Sequence, residues 1–206
     1  MIKNLNTRVQ IDRRGKIRIG GKSEKGYPVS YDYFDLKAFP ELQKVYGDKQ
    51  NSLRVMFPSD DLNDVATNDY RLYNSKRLVR KCDGVECVHI MENNGHQAGE
   101  ITGCICQPNM KDACTPYMML KVFVLNYEDK IVNPYAYALV TGSINSIRDI
   151  ISSLEQMLNP ETGYGTLKGL VFELTVKKVS GTGKSLFPIL SLQLVKSTKK
   201  LAERAI

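Results

Sequence analysis

The sequence predicts an α+β protein: a mainly antiparallel β-sheet with few helices and a cysteine-rich, zinc-binding insertion. Three observations carry this. Short runs rich in β-branched and aromatic residues recur along the chain, while one long stretch alone has a clear helical period. Strand–helix–strand units are few, which argues against a parallel sheet. All five cysteines fall between positions 82 and 114.

The bounds are those of a globular domain. The 206 residues predict a single domain, 1–206, with the insertion at 80–116. Such a length buries a core without help from disulfides. Hydrophobic residues are 42% and charged residues 25%, which excludes a disordered, collagen-like or fibrous chain. No apolar run is long enough for a membrane-spanning helix. The basic N-terminus has no apolar run behind it, so no secretory signal is expected and the cysteines are read as reduced.

Taken in order, Lys16–Gly20 alternates like a half-buried strand, and Gly20-Gly21 should break it. Tyr27–Phe34 is a second strand. Pro40–Tyr46 is a short helix, with proline where the first turn tolerates it and Gly47 as its stop. Leu53–Phe57 is a strand. Pro58-Ser59-Asp60-Asp61 is a turn that caps a short helix through Val65, a reading preferred to a carboxylate pair for a hard cation. Arg71–Tyr73 and Leu78–Val79 are strand pieces leading into the cysteine segment.

Residues 82–116 are rich in Cys, Gly, Asn and Asp and lack periodic apolar positions. Such a segment buries too little apolar surface to order itself, so it is either loose or held by a metal. Beyond it, Met118–Leu125 and Tyr135–Val140 are apolar strands. Ser143–Leu158 is the clearest helix, capped by Ser143, striped by Ile144, Ile147, Ile151, Leu154 and Leu158, and ended by Asn159-Pro160. Leu170–Val176 and Leu186–Val195 form a hairpin, with Val171, Glu173 and Thr175 on its wet face. Gly181-Thr182-Gly183-Lys184-Ser185 resembles the end of a phosphate-binding loop. Lys178 stands where that motif needs its first glycine, however, and no helix follows, so it reads as a hairpin turn.

The cysteine spacing points to zinc, which takes four tetrahedral ligands and favours thiolates. Cys82, Cys104, Cys106 and Cys114 are the chosen set, with Cys87 the first substitute and His89 and His96 weaker ones. Four thiolates leave no open coordination position, so this zinc is structural and orders the insertion. A water in place of one ligand would instead open a hydrolytic site. With two histidines, both in this segment, histidine-based acid–base catalysis has little support.

Charge is uneven. The net charge is +7, and residues 1–26 carry eight cations against Asp12 and Glu24. The 196–206 tail is also basic. Arg13, Arg14, Lys16 and Arg18 suit phosphate contacts, and equally the protection of an edge strand. Tyr27, Tyr31, Tyr33 and Phe34 could stack bases, but the preferred reading is that some of them are core.

The order of these signals resembles a family. Arg14-Gly15-Lys16-Ile17-Arg18-Ile19-Gly20 with Tyr27-Pro28-Val29 and Asp32-Tyr33-Phe34, then Met56-Phe57-Pro58-Ser59-Asp60-Asp61, then Cys82-Asp83-Gly84 with Cys104, Cys106 and Cys114, resemble the phage and prophage recombination directionality factors that act on large serine integrases. Ser143-Ile144-Asn145-Ser146-Ile147 resembles the capped helix that follows. Cys87 and the 85–99 stretch have no clear place in the pattern. The resemblance implies a binding protein and no enzyme, at work in the cytoplasm of a bacterial host. It would bind its integrase on att-site DNA and switch it from integration (attP × attB) to excision (attL × attR). Weak non-specific DNA contact through the basic N-terminal segment is a further expectation. Two other readings stand beside it: a metal-dependent hydrolase or nuclease, and a single-strand nucleic-acid-binding accessory of phage replication.

Overall fold

A computed structural model of the chain describes residues 11–74, 77–92, 95–104, 113–180 and 186–197. Among them the alternating segments join into one 12-stranded sheet. In chain order the elements are β1 (Arg13–Lys22), β2 (Pro28–Asp35), α1 (Pro40–Tyr46), β3 (Lys49–Gln50), β4 (Ser52–Met56), α2 (Leu62–Val65), β5 (Ala66–Asn74), β6 (Arg77–Cys82), β7 (Glu86–His89) and β8 (Ile101–Gly103). β9 (Thr115–Val124), β10 (Ala136–Thr141), α3 (Ile144–Leu158), β11 (Leu170–Ser180) and β12 (Leu186–Ser197) complete it. One path runs β3-β2-β1-β10-β9-β5-β6-β7-β8, while β4, β11 and β12 branch from β9. Among the described strands only β1 with β10 is parallel. The expected mainly antiparallel α+β architecture is the one observed.

β9 is the strand where the sheet divides. Its first half pairs with β5, from Arg71↔Thr115 to Ala66↔Leu120. Its end pairs with β4 through Met56↔Phe123 and Val55↔Val124. The sheet then folds back, so that β2 packs on β11 and β12 while α3 lies on β12 and β9. Strand alternation fills the enclosed space: Leu53 and Val55, Leu120 and Val122, Phe172 and Leu174 all point in and are 0–1% exposed. Phe57 meets Phe172 edge-to-face at 5.3 Å between ring centres.

α3 forms where its apolar period and cap require. Ser143 Oγ accepts from Ser146 N–H at 3.4 Å, and Ile147, Ile150 and Leu154 are buried. Ile150 is a core residue outside the expected stripe. Ser146 is also buried, and its Oγ accepts from the Leu190 N–H at 2.9 Å, closing part of the edge of β12. α1 is tied in by Glu41, whose Oε1 accepts from Arg14 Nε (2.9 Å) and the Tyr137 hydroxyl (2.8 Å).

Three expectations need correction. Gly20-Gly21 does not end β1, which continues to Lys22. A Cβ on Gly20 would lie 2.8 Å from the Val29 carbonyl oxygen, and one on Gly21 would strike the Tyr31 hydroxyl, so these glycines let β2 approach closely. Val171 is buried instead of wet, beside a register shift between Val171 and Phe172 that breaks the alternation. The cysteine segment is not structureless among its described residues: β7 and β8 extend the main sheet beyond β6. The 180s hairpin holds, with Ser180↔Leu186 as the last pair, and residues 181–185 lie outside the described residues.

Candidate functional site

The β6–β8 finger begins at a tight turn. Asp83 N–H donates to the Glu86 carbonyl, and Asp83 Oδ1 accepts from Val85 N–H (2.8 Å) and Glu86 N–H (2.7 Å). Gly84 has φ +105°, a conformation this primed-type hairpin turn needs and glycine adopts without strain. The register that follows pairs Cys82 with Cys87, Arg80 with His89, and Cys87 with Thr102. Cross-strand partners share a sheet face. Cys82, Cys87, Arg80, His89 and Thr102 therefore stand on one face of the finger, and all but Thr102 are buried.

On that face the Cys82 thiol has the Cys104 and Cys87 thiols as neighbours. Burial pushes the Cys82 thiol up to about 12; a hydrogen bond from Gly84 N–H opposes the shift and the Cys104 and Cys87 thiols add to it. Gly84 N–H reaches Cys82 Sγ at 3.1 Å, and Arg80 Nε donates to Cys114 Sγ at 3.3 Å. Donors aimed at sulfur are what a ligand thiolate accepts in its outer shell. Of the set chosen from sequence, Cys82 and Cys104 are thus side by side and Cys114 is anchored to Arg80. Cys106 lies outside the described residues. Among the described residues no group of three or more His, Cys, Asp or Glu side chains is placed to hold a metal ion.

The histidines form a second feature, which the sequence reading ranked low. His89 is 1% exposed, its Nε2 contacts Thr102 Oγ1 at 3.2 Å, and its Nδ1 is buried with no hydrogen-bond partner among the described residues. Its ring stacks on His96 at 4.2 Å, and His96 Nδ1 bonds Glu100 Oε1 at 3.0 Å. Burial lowers the His89 pKa, and His96 and Arg80 lower it further against the pull of Glu100. An imidazole so enclosed is closed to substrate, whatever its neighbours.

The acidic motif after β4 is structural in both carboxylates. Asp61 Oδ1 accepts from Asn63 N–H at 2.8 Å and caps α2. Asp60 Oδ1 accepts from the Thr166 hydroxyl (2.8 Å), Leu167 N–H (2.7 Å) and Lys168 N–H (3.1 Å). Phe57 fills the core above Phe172. The motif is a clasp between the end of β4 and the loop before β11. Of the tyrosines, Tyr31 and Tyr33 stack on each other at 4.6 Å with Lys49 over Tyr33, and Phe34 is fully buried.

A family model described as recombination directionality factor-like (Gp3-like) matches residues 14–195. The chain belongs to that family. For this directionality factor-like chain, a recombination-related role exercised through a protein partner follows from the family. The match runs from within β1 to within β12. No curated protein and no solved structure matches the chain. No helix among the described residues is long and apolar enough to cross a membrane.

Proposed function

We propose that this chain is a recombination directionality factor for a large serine integrase. It binds the integrase on att-site DNA in the host cytoplasm and favours attL × attR excision over attP × attB integration. The observation that carries this is the family match over residues 14–195. The physical role is that of a ligand: it binds one synaptic arrangement more tightly than the other, and that difference sets direction. No catalytic step is needed, and the engagement of both motif carboxylates in backbone hydrogen bonds suits a non-enzyme.

The finger's zinc is the second part of the proposal. Cys82, Cys104, Cys106 and Cys114 hold one structural Zn²⁺, with Cys87 as the substitute that cross-strand pairing with Cys82 favours. The neighbouring thiols of Cys82 and Cys104 and the donors on Cys82 Sγ and Cys114 Sγ fit a thiolate site. A metal there would fix the finger for its partner.

Purified cognate integrase tests the main reading. Adding this protein should stimulate attL × attR recombination and suppress attP × attB. Unchanged rates of both reactions overturn it. Elemental analysis of protein purified without chelator should find zinc equimolar with the chain, and its absence overturns the metal proposal alone.

A further inference from the structure

The outer face of the sheet, opposite the core, gathers cations from strands distant in sequence. Lys16 pairs with Ala138 and Ala138 with Lys121, so the two lysines flank one alanine in a single row. Arg13 pairs with Ala136 on the same face. Ala136 and Ala138 are buried, 0% and 3% exposed, although they point away from the core side chains Tyr137 and Leu139. The neighbouring stems of Arg13, Lys16 and Lys121 are long enough to cover them. Arg13 Nη1 also reaches Met119 Sδ at 3.3 Å, although Met119 pairs with Val140 at the far end of β10. Twist must therefore curl this face along its diagonal. At its far side Arg71 lies 3.6 Å from the centre of the Tyr117 ring, and Asp69 joins Arg71 and Lys81, a trio with one net positive charge.

Apart from Arg71 and Lys81, which share Asp69, the cations of this face have no matching acid among the described residues. Among the described residues no carboxylate lies within ion-pair distance of Arg13, Lys16, Arg18 or Lys121. Asp35, in register with Arg18, accepts instead from Lys37 N–H at 3.2 Å. Burial and the neighbouring Arg18 both lower the Lys16 pKa, a crowding that an arriving anion relieves. Protein interfaces are depleted of charge at their centre and enriched in exposed aromatic anchors. This face is the reverse, since its centre is cationic and Tyr117 is covered by Arg71. Phosphate contacts from Lys and Arg, sequence-independent and salt-sensitive, suit such a surface.

We infer that the β1–β10–β9–β5 outer face is a docking surface for the phosphate backbone of duplex DNA, centred on Lys16 and Lys121. This deepens the DNA contact in the reading above: half of the surface comes from strands far from the basic N-terminal segment, and the integrase is not required for it. On att-site DNA the face would add a non-specific term that holds the protein beside its partner.

The test uses the full chain and a labelled duplex of arbitrary sequence, followed by anisotropy across a salt series. Binding should weaken steeply with salt. Lys16→Gln with Lys121→Gln should lower the log–log salt slope by about one per lysine removed. Lys44→Gln with Lys178→Gln, an equal charge loss at exposed positions elsewhere, should leave the slope unchanged. Bound duplex should also protect Lys16 and Lys121 of the unmutated protein from amine acetylation, a readout independent of variant folding. No binding at low salt, equal losses in the two double variants, or unchanged acetylation of both lysines when duplex is bound overturns the inference. So does preferential binding of polyglutamate over DNA, which would mark an acidic-protein surface. Stimulated excision without binding to free DNA removes this inference and leaves the integrase reading intact.

Discussion

The body and the finger solve the same problem with different side chains. In the body, β4, β9 and β11 bury Leu, Val and Phe in the core that α3 joins, and these buried positions are 0–3% exposed. In the finger, β6 and β7 bury Cys82, Cys87, Arg80 and His89, from 0% to 3% exposed. Apolar burial is worth roughly 25 cal/mol per Å² and needs no partner. A buried cation or imidazole needs partners to offset lost hydration. The body can therefore stand on packing alone, whereas the finger depends on specific polar contacts and, in the proposal above, on zinc. The difference teaches that one continuous sheet can carry two kinds of stability.

Chelation is the sharpest way to break that contrast. Removing zinc, or changing Cys104→Ser, should collapse hydrogen-exchange protection across 82–104 and spare the amides of α3. Equal loss in both regions would make them one cooperative unit. In the body, Phe172→Ala should cost about 3–5 kcal/mol in urea denaturation through the cavity beneath Phe57. A loss confined to a local signal would contradict the body's role as the global unit.

Smaller effects sharpen the comparison. Asp60→Asn should cost about 1 kcal/mol by weakening the clasp to residues 166–168. Burial alone would raise the Asp60 pKa, but hydrogen bonds from Leu167, Thr166 and Lys168 more than offset it and hold the carboxyl below its ordinary value. A depressed folded-state pKa gives stability that is present at neutral pH and lost as pH falls through that lowered value. Thermal melts of Asp60→Asn and the unmutated protein should converge in acid; a constant gap would show that the carboxylate charge is irrelevant. Gly84→Ala should cost about 1 kcal/mol by forcing alanine to positive φ, since no atom but a Tyr70 ring carbon at 3.9 Å approaches the new Cβ. That loss should register as faster exchange at residues 86–89, with the melting of the body unchanged.

Legibility in the sequence followed the same divide. Pro40–Tyr46 forms as expected because proline and glycine punctuate it, and α3 because its apolar residues recur at the helical period. β4 and β9 were readable as short apolar runs, and β11 by its alternation, which breaks at Val171. β7 and β8 were not: the buried positions of β7 are Cys87 and His89, which read as candidate ligands and not as a core-facing pair, and β8 is three residues long with none buried. A period-two reading of Arg80, Cys82, Cys87 and His89 as inward-facing would have found the strands. The candidate ligands were legible as a cluster, whereas the pairing of Cys82 with Cys87 needed the Gly84 turn to set register. The role of Asp60 was hidden because its partners lie more than a hundred positions away.

β9 links the two regions: its first half holds β5, which carries the finger through β6, and its end holds β4 in the body. Its 10 residues span about 33 Å as an extended strand. Backbone ladders couple neighbouring strands, so a load placed on the finger passes through β6 and β5 to β9, and along β9 to the hydrophobic interior. The finger is thus mounted as a lever on a beam, and a torque applied there is resisted by the whole molecule.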